Sequence, residues 1–397
     1  MKKRIAIIGG GASGLICAIQ AKQTNPYADI TIYEKNAKPG KKILVTGNGR
    51  CNFSNTDLSP SHFYGDVTFL RKVLTSVYAD DENYFRSLGI FSYEEDGRLY
   101  PRSQQSSAIR DALLNKISSF GISIITEHTV CEIKRKDIGF SVDDDYFDAI
   151  VLCGGSKASP VHGSDGSCYA FAEGFSHKIT PLHPALCGLL TGEKTSSLKG
   201  VRAEGNAKLF SGSRLLGEEE GEIQFTDNAV SGIPVMNLSH LCKDNKNLSL
   251  TIDLCYDLSF NELFEHIKAQ PKTDEIETIL GGIINNKLGF MVMEKAGIKP
   301  HSTLTKVTVD GVKRLCDTLK GFTLKIKGTK DFTNAQITCG GIDTKDIDPA
   351  TMMSQIEKGL FFCGEILDIH GDCGGYNLHL AWTTGRIAGN AVAEYIR

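Results

Sequence analysis

The sequence contains no Cys-x-x-Cys pair, no cysteine and histidine spacing of the zinc-holding kind, and only one tryptophan. Its twelve cysteines are scattered, which excludes a disulfide framework or a metal ribbon as the organising device, and no metal site is expected. Cys153 and Cys363 sit inside the apolar runs IVLCGG and LFFCGE and read as small buried hydrophobes. A reducing, cytoplasmic setting is the expectation. Charge of one sign is also lacking. Lysine and arginine number 44 against 47 acidic residues, a formal net charge of −3, so no electrostatic argument favours nucleic acid or an anionic membrane as partner. Short basic clusters at residues 41–42 and 134–136 have acidic neighbours and read as solvated faces. No apolar run approaches the roughly 20 residues that cross a bilayer. Lys2, Lys3 and Arg4 lead straight into a strand, without the apolar core of a signal peptide. Repeats and low-complexity tracts are absent. What remains is a globular composition, 41% hydrophobic and 23% charged, in a 397-residue chain long enough for two or three domains.

The first positive signal is at the N-terminus. Residues 4–8 are nearly all apolar and stop at Gly9-Gly10-Gly11-Ala12-Ser13-Gly14, after which residues 15–22 read as a helix. In such a strand–glycine–helix unit Gly9 permits the tight turn, Gly11 lets the backbone approach a pyrophosphate, and Gly14 lets helix and strand pack closely. Ala12 and Ser13 open the helix, whose N–H groups and dipole suit a diphosphate. A second strand, residues 29–33, ends in Glu34, where a carboxylate can accept both ribose hydroxyls of an adenosine, with Lys35 beside it. The cradle does not separate FAD from NAD. The following segment, KNAKPGKKILVTGNGRCNFSN, favours the bulkier cofactor: Gly47, Gly49, Arg50 and Asn52 offer free backbone N–H groups, one cation and an amide, and Lys42 lies in the same loop as a further candidate. Cys51 reads as a packed thiol that borders the same loop.

The chain then returns to this domain. A hairpin follows Val130, and residues 147–152 give a buried strand ending in Cys153-Gly154-Gly155, a backbone suited to close approach by a cofactor. Near the C-terminus the buried-strand run 359–363 is followed by Gly364-Glu365, then by Asp372, Gly374-Gly375-Tyr376-Asn377-Leu378 and a last helix with small residues at Ala381, Gly385 and Ala388. Glu365 is placed for a chain of sugar-like hydroxyls. The helix start at 374–378 can aim N–H groups at an electron-accepting ring. Two glycine-marked units, far apart in sequence, are expected to fold around one FAD.

The segments IIGGGASGLICA, KKILVTGNGRCNFSN, EEDGRLYPRS, GEIQFTDNAVSGIPVMNLS and GLFFCGEILDIHGDCGGYNLHLAWTTG, in this order along nearly the whole chain, resemble the signature blocks of the BaiN/RdsA-type NAD(P)/FAD-dependent flavoproteins, also labelled aminoacetone oxidase-like. The resemblance implies an FAD-dependent oxidoreductase that reduces a conjugated carbon–carbon double bond of a 3-oxo bile acid or similar small molecule. His379 departs from the family's glutamine after GGYNL.

The middle of the chain reads differently. The expected organisation is residues 1–185 and 335–397 as an α/β Rossmann-type FAD-binding domain, with an inserted antiparallel β domain at 186–254, a helical subdomain at 255–321 and a return strand at 322–334. Alternating runs around residues 207–210, 222–225 and 248–252 give the sheet or barrel. Period-3.6 stripes at Phe260, Leu263, Phe264, Ile267, at Ile276, Ile279, Leu280, Ile283, and at Val312, Leu315, Cys316, Leu319 give three helices, the first with a capping box of Ser259 and Glu262. The insertion is expected to roof a substrate pocket, with hinges at residues 181–184 and near Phe322. His177 and His183 are either pocket groups or hydrogen-bonded structural histidines.

Flavin carries the hydride chemistry. The sequence has no second glycine cradle of equal quality, so NAD(P)H as electron donor would dock transiently. Alternatives are an oxidase of an amine or alcohol and a flavin-bound RNA-modifying or scaffold protein. His370 and Asp372 are the candidate acid or base, against a reading as turn and cap.

Overall fold

Five strands, β1 (Arg4–Ile8), β2 (Asp29–Tyr33), β3 (Ser123–Ile125), β4 (Ala149–Leu152) and β5 (Leu360–Phe362), make one parallel sheet in the order β5-β4-β1-β2-β3. The central strands are apolar at nearly every position because both faces are covered, as parallel sheets require. The chain runs outward through β2 and β3, then crosses back to lay β4 on the other side of β1. That reversal leaves a crevice beyond the C-terminal ends of β1 and β4, the position where open α/β sheets take ligands.

Two helices flank the crevice, α1 (Ala12–Thr24) and α2 (Tyr376–Tyr395). They touch each other closely. A side chain at Gly385 would start 2.7 Å from the Ser13 carbonyl oxygen, and one at Gly389 would start 2.4 Å from that of Cys17. Gly385 and Gly389 thus serve helix-on-helix packing. Trp382 is fully buried on α2, where its ring N–H donates to the Phe53 carbonyl at 2.9 Å.

The computed structural model describes residues 2–397. It divides into two units, residues 2–183 with Gln336–Arg397, and Pro184–Ala335. The second unit is an antiparallel barrel of six strands, closed where Leu189 pairs with Thr329. Its strands alternate: Phe322, Leu324 and Ile326 are buried and the residues between them exposed. Closure leaves no sheet edge to protect. Helices Phe260–Lys268, Ile276–Gly281, Asn286–Lys295 and Val309–Lys320 add buried residues to its core. The capping box forms, with Glu262 N–H donating to Ser259 Oγ at 3.2 Å and Ser259 N–H to Glu262 at 2.8 Å. Ile283 lies beyond the second helix, which ends at Gly281.

Candidate cofactor-binding site

The turn after β1 explains two of its glycines by the chain's own packing. Gly9 has φ +116° and a side chain there would start 2.6 Å from the Cys153 carbonyl oxygen; one at Gly14 would start 1.9 Å from that of Gly9. Gly11 differs. Nothing lies within 4 Å of where its side chain would begin. No side chain caps α1, so the N–H groups of its first turn take no side-chain partner at the N-cap and carry the positive end of the helix dipole. The residues present fit a dinucleotide diphosphate.

Glu34, at the end of β2, is buried. Its Oε2 accepts from Gly10 N–H at 2.9 Å, and its Oε1 accepts from the backbone and side-chain amides of Asn36, both at 2.7 Å. The carboxylate fixes the glycine turn and keeps lone pairs for a ribose. Lys35 pairs with Asp165 at 2.7 Å. The Glu34 carbonyl also accepts from His128 N–H at 3.1 Å, bringing the segment that ends in buried Val130 alongside.

The loop around residues 43–51 is tightly wound, with left-handed backbone at Asn48 and Cys51. The space beside Gly49 is open, as at Gly11. Arg50 is not a free cation: it bonds Glu95 at 2.6 Å and lies 4.2 Å over the Tyr100 ring. Cys51 is fully buried, and burial pushes its thiol up to about 12, which makes it unreactive. The Asn52 backbone nitrogen would lie 2.8 Å from a side chain at Gly47.

The distant glycine unit joins this one. A side chain at Gly364, just beyond β5, would start 2.3 Å from Ser13 Oγ, so this turn rests on the first turn of α1. Next to it, Glu365 takes a bond from Lys42 at 2.7 Å and from Ser156 at 2.9 Å, which balances its charge within the chain. Gly154 and Gly155 are both required by packing, against Cys168 and Ser164.

The turn before α2 is the most elaborately braced. Gly375 takes φ +99°, and a side chain there would start 2.4 Å from the Ser54 carbonyl oxygen. Asn377 holds Gly371 from both ends of its amide, at 2.8 Å each, and bonds the Asp372 carbonyl at 3.1 Å. Leu378 packs on the core beside it. Tyr376 stacks on His62, ring centres 4.7 Å apart. Asp372 accepts from Tyr64 Oη at 2.9 Å and lies 3.0 Å from His62 Nδ1; His62 Nε2 is 3.3 Å from Asp57. Burial pulls the His62 pKa down, but the hydrogen bonds to Asp372 and Asp57 outweigh it and raise it. His370 is buried and stacks on Tyr64. His62 and Tyr64 escaped the sequence reading, since a His-Phe-Tyr run outside any glycine motif carries no periodic signal. His379 turns its ring into the protein interior against Asp81, rather than along the turn. His177 is a structural histidine, 2.7 Å from Ser354 Oγ.

Residues 3–391 match the family described as the HI0933-like protein Rossmann domain. The chain belongs to that family. It is an FAD-dependent oxidoreductase with a Rossmann-type cofactor domain and a barrel insertion. Among curated relatives, the 3-dehydro-bile acid delta(4,6)-reductase of Clostridium scindens is 36% identical, covering 98% of this chain and 99% of its own length. The ribosomal RNA dihydrouridine synthase of Haemophilus influenzae is 26% identical over 95% of both. Among solved structures, the 3-ketosteroid delta1-dehydrogenase of Sterolibacterium denitrificans superposes with a TM-score of 0.51 at 11% identity, covering 98% of this chain and 99% of that one, a likeness of fold. Among the described residues no helix is long and apolar enough to cross a membrane.

Proposed function

We propose that the chain reduces an activated carbon–carbon double bond in a small organic substrate, with NAD(P)H as the source of electrons. In this reading the FAD diphosphate lies over Gly11, Ala12 and Ser13, and the adenosine ribose bonds Glu34 with Lys35 and Val130 nearby. The Lys42–Glu365 pair, with Gly154, Gly155 and Gly364, borders the sugar-alcohol chain, and the ring lies between the 49–52 backbone and the turn from Asp372 to Leu378. Bound there, FAD supplies hydride transfer. Everything else falls to the protein: orienting the substrate, excluding water and supplying a proton.

The observation that carries the choice of reaction is the 36% identity, over 98% of the chain, to a protein named as a bile-acid reductase. The more distant relatives support the same chemistry. A dihydrouridine is a uridine whose carbonyl-conjugated double bond has been saturated, so the names of both relatives describe hydrogen addition across such a bond. The formal charge of −3 favours the small molecule over RNA. The test is anaerobic mixing of the yellow holoprotein with NADH or NADPH, followed by a 3-oxo-4,6-diene bile acid. The flavin band, near roughly 450 nm for any oxidised flavin, is expected to bleach and then return. Bleaching by an amine or alcohol instead, with no return on adding the dienone, overturns the reading. Tight, salt-sensitive binding of a ribosomal RNA fragment points to RNA.

A further inference from the structure

Three protonable side chains form a hydrogen-bonded line just ahead of α2, the most buried of them in the middle. His62 Nδ1 and Asp372 Oδ2 are 3.0 Å apart, and Tyr64 Oη donates to the other oxygen of Asp372 at 2.9 Å. Exposure falls from the Asp57 side chain, 62% exposed, through His62 at 32% to Asp372 at 9%, and Tyr64 beyond it is again half-buried. Backbone fixes the arrangement. Strand Phe63–Gly65 pairs with Ile369–Gly371, setting Tyr64 opposite His370, and Asp372 N–H donates to the His62 carbonyl at 3.0 Å. Asp372, in the middle of the line, stands two residues before the Gly374-Gly375 turn. A merely structural brace needs no titratable ring between two carboxylates.

We propose that Tyr64, Asp372 and His62 deliver the proton consumed when the substrate double bond is reduced, Tyr64 handing it over and His62 reloading from solvent. This rests on the enone-reductase reading above. The reduction adds two hydrogens, one as hydride from reduced cofactor at the far carbon of the double bond, the other as a proton at the carbon beside the carbonyl. As that second C–H bond forms, the Tyr64 O–H bond breaks. Tyr64 takes a proton through Asp372 from the His62 imidazolium, which ends neutral and regains its proton from water. Asp372 finishes as it began, a carboxylate, so charge and atoms balance.

The groups that face His62 are Asp372 from the turn, Asp57 from its own loop and the stacked Tyr376, which itself feels Arg98. Burial opposes the charged imidazole, and the two carboxylates outweigh it and raise the His62 pKa above its ordinary value.

The experiment uses FAD-loaded wild type, Y64F and H62Q, each reduced photochemically and mixed anaerobically with a 3-oxo-4,6-diene bile acid. Flavin reoxidation is followed against pH, in H2O and D2O. Wild type is expected to slow as pH rises through the His62 pKa and to show a solvent isotope effect. General acid catalysis is worth about 10²–10⁴-fold, so Y64F is expected to lose at least about 100-fold. H62Q is expected to lose rate and the pH dependence together. Variants that reoxidise at the wild-type rate with the wild-type pH profile overturn the proton line while leaving the reductase reading intact. A wild-type flavin that the dienone never reoxidises overturns both. Asp372 is tied into the turn by His62, Tyr64 and Asn377, so the variants are made at half-buried Tyr64 and His62 instead.

Discussion

Asp81 Oδ2 and His379 Nδ1 meet 2.6 Å apart, with neither side chain more than 1% exposed. Asp81 Oδ1 and His379 Nε2 have no hydrogen-bond partner among the described residues. Burial raises the Asp81 pKa, and the neighbouring His379 offsets part of that rise. The pair ties the second turn of α2 to the helix Asp81–Ser87. Removing one partner strands the other in the interior, which costs about 3–5 kcal/mol, whereas replacing both with apolar groups is far milder. D81A is therefore expected to lose about that much stability in urea unfolding, and the double variant D81L/H379L to lose less than D81A alone.

Gly11 and Gly14 are both glycines of one motif, yet substitution separates them. Alanine at Gly11 meets open space, while alanine at Gly14 collides with the Gly9 carbonyl. G11A apoprotein is expected to melt within about 1 kcal/mol of wild type and to bind FAD at least about tenfold more weakly. G14A is expected to lose the fold. Calorimetry of the apoproteins with flavin titration distinguishes the two, and equal FAD affinity in G11A and wild type refutes a diphosphate over Gly11.

His62 makes stability depend on pH in a definite direction. Its folded pKa lies above the ordinary 6.5, so the folded state holds the proton more tightly than the unfolded chain. The stabilisation is fully present below about 6.5 and fades as pH rises through the folded value. The difference in urea midpoint between wild type and H62Q is expected to shrink between mildly acidic and mildly alkaline pH. A difference that grows with pH contradicts the assigned hydrogen bonds.

Trp382 donates to the carbonyl of Phe53 from a fully buried position. W382F keeps most of the packing but leaves that carbonyl unsatisfied, for which about 1–3 kcal/mol is expected. W382A adds the cavity and is expected to cost about 3–5 kcal/mol. Denaturant midpoints measure both.

How far the sequence foretold this molecule depends on whether a local pattern decides the structure. Strand β1, the glycine turn and α1 were legible because apolar run, glycines and helix follow one another within twenty residues. The stripes at Phe260 and Val312 were legible because amphipathic surface helices must show their buried face. The helix Asn286–Lys295 was hidden: its KLGFMVM run is apolar on too many sides to show a period. So were Val67–Leu74, Asp81–Ser87 and Ser106–Ser119, in a stretch with no glycine motif to anchor a reading. In the site, glycine positions could be read from backbone demands, but partners could not. Glu95 for Arg50, Lys42 for Glu365 and Asp81 for His379 are separated by 45 to 323 residues, and no spacing rule links them.

The contact of Gly364 with Ser13 has a bearing on synthesis. About 350 residues separate the two, so at the usual elongation rate of about 5–20 residues per second, the first cradle waits on the order of 20–70 s for its other half. Through that interval the flank of α1 at Ser13 and Cys17 that Gly385 and Gly389 later cover stays bare on the ribosome. Nascent chains halted before β5 are therefore expected to recruit holding chaperones at α1, and to release them only once the C-terminal helix has emerged.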